Sequence, residues 1–279
     1  MTITASQVNE LRNLTGAGLM DCKKALTEAN GDIQAAIDFL RKKGAKVAEL
    51  RAGRAAAEGV VIAKTSADNK TGVAVYLSCE TDFVAKNEEF VKLATAIADA
   101  ALAAGSKTVE EVLNLSLGSA TVKDAVQEKV SAIGELINVS AYECVTGEAV
   151  VAYNHMGNKI GVLVALNKPL SDAVAAVGKD VAMQIAAMNP IAVDAAGVSA
   201  EVLEREKSVA REKAAAAGKP ENILDKIAEG AANTYIKENT LLTQAFVKDG
   251  SKTVAQVLGS AESGLTVTTF KRVERGAAK

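Results

Sequence analysis

A nine-residue block occurs twice in this chain of 279 residues, and that internal repeat is the feature that most constrains the fold. Residues 69–77 read Asn-Lys-Thr-Gly-Val-Ala-Val-Tyr-Leu, and residues 158–166 read Asn-Lys-Ile-Gly-Val-Leu-Val-Ala-Leu. A second block, Gly-Ser-Lys-Thr-Val at 105–109, recurs at 250–254, in the same order along the chain. Repeated blocks in a fixed order are typical of a duplicated supersecondary unit. The sequence therefore predicts two related subdomains.

Each copy is predicted to contain a β-hairpin, helices and a closing strand. In the first copy, apolar runs at 60–63 and 72–77 flank the turn-rich segment 66–70, which predicts a hairpin. Helical spacing follows at 90–101 and at 122–137, and β-branched residues return at 139–145. In the second copy we expect a helix over 174–188 that stops at Pro190, and a closing strand over 266–274. The predicted class is α+β, with duplicated core subdomains that contain antiparallel sheets.

The N-terminal segment is predicted to form three short helices. Thr4 and Gln7 fit a capping box, in which each side chain satisfies a free backbone donor near the other. Glycines divide the following apolar pattern, and Gly44 is expected to end the third helix. The segment Lys46–Glu58 has no apolar stripe, which predicts a solvated helical linker.

The second copy is about 55 residues longer between the two blocks, which predicts an insertion at Val198–Thr240. A charge-rich helix would end at Gly218, and Pro220 can open a second helix. Apolar residues repeat at every fourth position of that second helix: Ile223, Ile227, Ala231 and Tyr235. The insertion is predicted to be an antiparallel helical hairpin. Two alternatives remain open for it: self-association, or packing back on its own body.

Charge and cysteine content exclude several classes of ligand. The chain has 32 Lys and Arg residues against 34 Asp and Glu, with a net charge of −2. Binding to a nucleic-acid backbone requires a basic surface that displaces counterions, so no direct nucleic-acid ligand is expected. Three dispersed cysteines and one histidine predict neither a zinc site nor a disulfide framework. We expect no metal and no cofactor.

The sequence shows no targeting segment or membrane span. Residues 1–8 lack the charged and apolar regions of a secretion signal. No stretch of about 18 residues is both apolar and uncharged. We expect a cytoplasmic protein with no membrane partner.

Few residues could carry covalent chemistry. His155 is the only imidazole, and it falls in a predicted hairpin turn from Tyr153 to Gly157. The chain has no Gly-x-x-x-x-Gly-Lys-Ser/Thr loop, and Gly16 and Gly18 lack the third glycine of a dinucleotide fingerprint. We expect no catalytic residues and a protein that is not an enzyme. An enzyme that uses His155 is the alternative.

The segment Cys79–Asn87 joins a predicted strand to a predicted helix and contains an unusual aromatic residue, Phe83. In one interpretation, Thr81 or Asp82 caps the coming helix and Phe83 packs into its own core. In the other, a rigid turn presents Phe83 as a wedge, beside a carboxylate, for insertion into a partner. Residue physics alone favours the first interpretation.

Two motifs resemble those of the bacterial elongation factor Ts family. Residues 81–87, Thr-Asp-Phe-Val-Ala-Lys-Asn, resemble its signature turn, and residues 15–26, Thr-Gly-Ala-Gly-Leu-Met-Asp-Cys-Lys-Lys-Ala-Leu, resemble its N-terminal signature. The resemblance extends over nearly the whole chain. It implies a ubiquitin-associated-like three-helix domain with its linker at 1–54 and core subdomains at 55–146 and at 147–197 with 241–279. It also implies that the hairpin at 198–240 is a dimerisation domain.

The resemblance also implies a function and a set of site residues. The partner would be elongation factor Tu, a GTPase from which the protein releases GDP so that GTP can bind. Thr81, Asp82, Phe83 and Val84 would displace the Mg²⁺ and phosphate-binding groups of that partner. Further partner contacts are implied at three positions: Met20, Lys23 and His155. The competing hypothesis is a binding module in which the three-helix domain grips a helix or a ubiquitin-like surface.

Two departures from the family pattern limit what the resemblance implies. Gln184 stands where many members have histidine, so a partner contact made by that imidazole is not expected here. The sequence given stops at Gly276–Lys279, whereas some members continue into a further helix that touches the partner. We expect that contact to be missing.

Overall fold

The computed structural model describes residues 3–51 and 53–277 and has the predicted α+β fold. Its first part has three helices: α1 Ala5–Thr15, α2 Leu19–Glu28 and α3 Ile33–Arg51. The second part contains β1 Glu58–Thr65, β2 Thr71–Cys79, α4 Asp82–Ala85, α5 Glu88–Ala104, α6 Val109–Leu113, β3 Ser116–Leu117, β4 Ala120–Thr121, α7 Val122–Ile133 and β5 Asn138–Thr146. The third part contains β6 Ala149–His155, β7 Ile160–Leu166, α8 Asp172–Met188, α9 Ala200–Ala216, α10 Glu221–Asn239, β8 Ala245–Phe246, β9 Asp249–Thr253, α11 Val254–Ala261 and β10 Val267–Glu274.

Two three-stranded antiparallel sheets of the same topology form the centre of the molecule. The first has the order β1-β2-β5 and the second the order β6-β7-β10, so each predicted hairpin and closing strand is present. The central strands β2 and β7 are buried almost throughout, as expected for strands that are covered on both faces. Helices α5 and α7 cover the outer face of the first sheet, and α8 and α11 that of the second. The inner faces of the two sheets pack on each other.

Equivalent residues of the repeat make equivalent contacts between the two sheets. Val61 N donates to Asn158 O at 2.8 Å, and Val150 N donates to Asn69 O at 2.6 Å. The strand registers make Val61 the counterpart of Val150, and the repeated block makes Asn69 the counterpart of Asn158. The two units are therefore related by an approximate two-fold axis that passes between the sheets.

Two glycines allow this close approach. A Cβ on Gly72 would lie 2.6 Å from Val150 Cγ1, and a Cβ on Gly161 would lie 2.6 Å from Val61 Cγ1. Each of these glycines is the fourth residue of its repeated block. The repeat therefore preserves a contact between the sheets that only glycine permits without a shift of the neighbouring valine.

The prediction that Gly44 ends the third helix is wrong. Helix α3 continues through Gly44 to Arg51 and packs against α7. A Cβ at position 44 would lie 2.8 Å from both Gln127 O and Ser131 Cβ, so this glycine allows two helices to approach closely. Lys46–Arg51 is therefore the last part of α3 and not a separate linker, while Ala52 lies outside the described residues.

The other N-terminal predictions agree with the structure. Thr4 and Gln7 form the capping box of α1, with Thr4 N donating to Gln7 Oε1 at 3.0 Å and Gln7 N to Thr4 Oγ1 at 3.3 Å. The apolar faces of the three helices meet in one small core that includes Leu11, Cys22 and Leu26. Met1, Thr2, Ala278 and Lys279 lie outside the described residues, so the expectations about the two ends of the chain are not addressed.

The second pair of sequence blocks does not mark equivalent positions. The block that starts at Gly105 follows α5 and leads into α6, whereas the block that starts at Gly250 lies in β9 and leads into α11. In the topology, α11 corresponds to α7, because each follows a short hairpin and leads into a closing strand. The blocks resemble each other because both contain a threonine, Thr108 or Thr253, that caps the following helix.

The insertion is an antiparallel helical hairpin, as predicted, formed by α9 and α10. Its turn contains Gly218 at a φ of 73°, followed by Pro220 at the N-cap of α10. The buried residues of α10 are Leu224, Ala228 and Ala232, which face α9. The buried residues thus lie one position after those of the predicted stripe. The predicted residues themselves, from Ile223 to Tyr235, are half-buried on the flank of the hairpin.

Candidate functional site

Phe83 lies on the surface, where the chain passes from the first sheet to its covering helix. Strand β2 ends at Cys79, and the one-turn helix α4 follows before α5 starts at Glu88. The side chain of Phe83 is 84% exposed, which is the largest exposure among the large apolar residues that the structure describes. The interpretation that Phe83 packs into its own core is therefore wrong. Val84 and Ala85 pack against the core of the first unit instead and anchor α4 from below.

The base of the turn is held by a carboxylate from another part of the chain. Glu135, just after α7, accepts hydrogen bonds from Glu80 N at 3.2 Å and from Thr81 N at 3.0 Å. It also accepts a hydrogen bond from the hydroxyl of Thr81 at 2.7 Å. Thr81 is the N-cap residue of α4, yet its side chain makes no capping bond to that helix. The side chain of Thr81 fixes the turn to the segment that follows α7.

The carboxylate of Glu80 is bound by the end of α3 and by the segment that contains Glu135. Its carboxylate accepts two bonds from Arg51 Nη1, at 2.7 and 2.9 Å, and one from Leu136 N at 2.7 Å. Burial opposes ionisation of this carboxyl, but the bonds from Leu136 N and Arg51 outweigh it and lower the pKa of Glu80. Arg51 is the last residue of α3, so the N-terminal helices are joined to the turn at this point.

Asp82 and the residues after it complete the turn. Lys86 Nζ donates to Asp82 Oδ2 at 2.6 Å, and this hydrogen bond and charge lower the pKa of Asp82. Asn87 then caps α5 by accepting bonds from Glu89 N and Phe90 N. The helix cap predicted at Thr81 or Asp82 is thus made by Asn87. The turn presents an apolar ring and an ionised carboxylate next to each other, on a backbone that is bonded on two sides.

Comparisons with known proteins cover nearly the whole chain, including the Phe83 turn. A family model described as Elongation factor TS matches residues 80–277, a span that begins at the base of the turn. Elongation factor Ts of Amoebophilus asiaticus is 52% identical over 277 residues, which cover 99% of this chain and 100% of that protein. Elongation factor Ts of Christiangramia forsetii is 46% identical over 274 residues, covering 98% and 99%, and that of Clostridium perfringens is 48% identical over 282 residues, covering 98% and 93%.

The chain belongs to the elongation factor Ts family. This family acts as the nucleotide exchange factor of translation elongation and does not catalyse a covalent reaction. The resemblance found in the two sequence motifs is therefore confirmed. In residues 3–51 and 53–277, no cluster of three His, Cys, Asp or Glu side chains is arranged to hold a metal ion. None of the helices in those residues is long and apolar enough to span a membrane.

The other sequence-predicted contacts lie on different elements from the Phe83 turn. Met20, 73% exposed, and Lys23 lie on α2, which is linked to the turn through α3 and Arg51. His155 is the last residue of β6, not part of the following turn, and its Nδ1 lies 2.8 Å from the hydroxyl of Tyr153. The turn that follows His155 lies against β1, on which α4 also packs.

Gln184 has a structural position in this member of the elongation factor Ts family. It is buried in α8, and its Nε2 donates to Gln244 Oε1 and Ala245 O, both at 3.1 Å. Its Oε1 accepts from Val247 N at 2.7 Å. The side chain joins α8 to the β8–β9 hairpin, so it is not available at the surface.

Sequence reasoning missed the residues that hold the turn. Glu135 lies 54 positions from Thr81, and nothing in its neighbourhood distinguishes it from other surface carboxylates. Arg51 was assigned to a solvated linker. Glu80 was visible as part of the signature turn, and its position between a buried strand and an exposed aromatic could have suggested a structural anchor.

Proposed function

We propose that this chain binds elongation factor Tu with GDP and releases the nucleotide by inserting the Thr81–Val84 turn beside the partner's Mg²⁺ and phosphate site. Phe83 is the wedge, and Asp82 provides a negative charge next to it. The single observation that supports the proposal is that Phe83 is 84% exposed on a backbone held by Glu80 and Glu135. A ring on a fixed backbone loses little conformational freedom when it enters a pocket. No covalent step is needed.

The energies indicate that Phe83 acts together with a broad interface. Burial of one phenylalanine contributes about 1.5–3 kcal/mol. A ten-thousand-fold reduction in nucleotide affinity requires about 5.5 kcal/mol. Because linkage is reciprocal, an exchange factor that weakens nucleotide binding is itself bound less tightly when nucleotide is present. Incoming GTP therefore displaces it.

Further contacts are proposed at Met20 and Lys23 on α2 and at His155 beside the second hairpin turn. Ile133, which is exposed at the end of α7 and lies two residues before Glu135, is proposed as a further apolar contact. We propose the domain division 1–54, 55–146, 147–197 with 241–279, and 198–240. The helical hairpin 198–240 is proposed to mediate self-association through its half-buried apolar flank. The cytoplasm is the proposed location, where elongation factor Tu acts.

The test is release of a fluorescent GDP analogue from elongation factor Tu of the same organism, with this chain in catalytic amounts. The maximal rate and the concentration for half-maximal rate are measured separately. Loss of the ring in Phe83→Ala is expected to lower the maximal rate by roughly 10- to 100-fold, the equivalent of about 1.5–3 kcal/mol. Complex formation is expected to weaken far less.

Two variants serve as controls. Phe83→Leu keeps apolar bulk and is expected to retain most of the rate. Leu170→Ala truncates a half-exposed apolar residue at the corresponding strand-to-helix turn of the second unit and is expected to leave the rate unchanged. If the unchanged protein does not accelerate release from an active partner, the proposed function is wrong. If Phe83→Ala lowers the release rate and the affinity of the complex equally, the ring contributes to binding only and does not act as a wedge.

A further inference from the structure

Two glutamates, Glu80 and Glu135, each accept backbone amides from the segment that contains the other, and they form a reciprocal clamp at the base of the Phe83 turn. The carboxylate of Glu80 accepts a hydrogen bond from Leu136 N, and Leu136 is the residue after Glu135. The carboxylate of Glu135 accepts Glu80 N and Thr81 N. Two carboxylates in such proximity repel each other, and Arg51 and Arg54 offset that repulsion by pairing with Glu80 at 2.7 and 3.3 Å.

The clamp fixes the start of α4, whereas Val84 and Ala85 hold the other end of this helix on the core. A helix of four residues is far below the length at which a helix is stable alone. Its N-cap hydroxyl, on Thr81, is directed to Glu135 and not to the helix. An N-cap threonine normally bonds to its own helix. Here the side chain of Thr81 attaches the turn to the segment after α7 and does not stabilise α4.

We propose that Glu135 is a positioning residue for nucleotide exchange: it acts through Thr81 to hold Phe83 in the direction needed to enter the partner. This inference rests on the proposed function of the Phe83 turn. Hydrogen bonds to an ionised carboxylate are about twice as strong as neutral ones, which makes Glu suited to the task. Release of the clamp frees the N-terminal end of α4, so the phenyl ring is still present but is held less firmly in one direction, and the rate of exchange then falls.

The test is a double-mutant cycle with the full chain and elongation factor Tu loaded with fluorescent GDP. Glu135→Met keeps the length of the side chain and removes all three accepted bonds. Its maximal release rate is expected to fall roughly tenfold, equivalent to about 1.4 kcal/mol. In the Phe83→Ala background the same change is expected to alter the rate less than about twofold, because the residue then has nothing to position. Glu135→Gln keeps one acceptor oxygen and is expected to give an intermediate rate.

A matched control separates positioning from general stability. The side chain of Glu111, also in the first unit, accepts a hydrogen bond from the backbone amide of Lys107 at 2.7 Å. It lies beyond the far end of α5, a helix of 17 residues that is about 25 Å long, so it is remote from the turn. Glu111→Met removes one accepted bond, so it is expected to lower the unfolding temperature by less than Glu135→Met and to leave the release rate unchanged.

Amide hydrogen exchange at Thr81 tests the clamp without the partner. Slow exchange in the unchanged protein and at least tenfold faster exchange in Glu135→Met are expected. If Glu135→Met does not fold, Thr81→Val, which removes a single donor, replaces it in the cycle. An equal fall in rate in both backgrounds, or a fall in affinity alone, overturns the inference. Failure of the unchanged protein to release GDP overturns the proposed function instead, and the amide exchange still reports on the clamp.

Discussion

Replacement of Gly161 by alanine tests the contact between the two sheets. The new Cβ would lie 2.6 Å from Val61 Cγ1 and 3.4 Å from Ala63 Cβ, across the sheet interface. Val61 is fully buried, and a β-branched side chain has few other rotamers, so it cannot simply turn away. The backbone of Gly161 is not in the left-handed region, so the cost arises from packing and not from backbone strain.

The magnitude follows from two opposing effects. Overpacking of a well-filled core costs about 1–3 kcal/mol, and replacement of glycine removes unfolded-state entropy worth about 0.4–1 kcal/mol. Gly161→Ala should therefore lower the free energy of unfolding by about 1–2 kcal/mol. Val61→Ala alone should cost about 2–3 kcal/mol through lost burial and a cavity. In the double variant the new methyl occupies part of that cavity, so its cost should be at least about 1 kcal/mol below the sum of the two single changes.

Urea unfolding followed by circular dichroism measures these differences, since the chain has no Trp. Gly230→Ala, on an exposed part of α10 with no atom within 4 Å of the new Cβ, is the control and should stabilise the protein by about 0.5–1 kcal/mol. Gly72→Ala should be at least as costly as Gly161→Ala, because its Cβ meets both Val150 and Leu163. Additive costs in the double variant, or a Gly161→Ala variant as stable as the unchanged protein, would refute the packing argument.

Three further predictions concern polar and titrating groups. Gln184→Ala should cost about 2–3 kcal/mol in urea unfolding, because Val247 N and Ala245 O lose their partner in a buried site. Burial raises the pKa of Cys79 to about 12, so the thiol stays protonated at pH 8; mass spectrometry after iodoacetamide treatment should find Cys79 unmodified in the native protein and modified in urea. Because Lys86 lowers the pKa of Asp82, the carboxylate stays ionised to a lower pH than a free Asp, and Lys86→Ala should raise that pKa in an NMR titration.

Local patterns in the sequence predicted most of the secondary structure, because they depend on neighbouring residues. The capping box at Thr4, the hairpin around residues 66–70 and the helix break near Gly218 are of this kind. The errors have a different origin. A glycine at position 44 is typical of a helix end, which led to the wrong prediction. In the structure this position must be glycine because α7, which is distant in sequence, packs closely against it.

The same distinction separates the predicted and missed parts of the site. Phe83 and Asp82 could be found from the sequence because they share one short motif. Glu135 and Arg51 reach that motif from 54 and 29 positions away, so only the fold shows that they hold it. The exposure of Phe83 also required the structure, since a buried aromatic beside a helix cap was the more favourable interpretation of the residues alone.

The duplication explains where the proposed functional turn lies. The two units share hairpin, closing strand and sheet contacts, and their first covering helices, α5 and α8, both have 17 residues. The connections into those helices differ. Helix α5 begins at Glu88, eleven positions after Leu77, whereas α8 begins at Asp172, six positions after Leu166, the counterpart of Leu77.

The five additional residues in the first unit provide the room for α4 and Phe83. In the second unit the chain passes directly to Ser171, which caps α8, and presents no comparable projection. A short insertion in a loop adds little to the cost of closing it, so a rigid duplicated frame can gain such a turn with little loss of stability. The frame then supplies what the turn lacks, since the segment after α7 provides the carboxylate and the end of α3 provides the guanidinium that fix the turn. The proposed exchange site thus lies on a connection that is five residues longer in the first unit than in the second, while the residues that hold that connection belong to the frame.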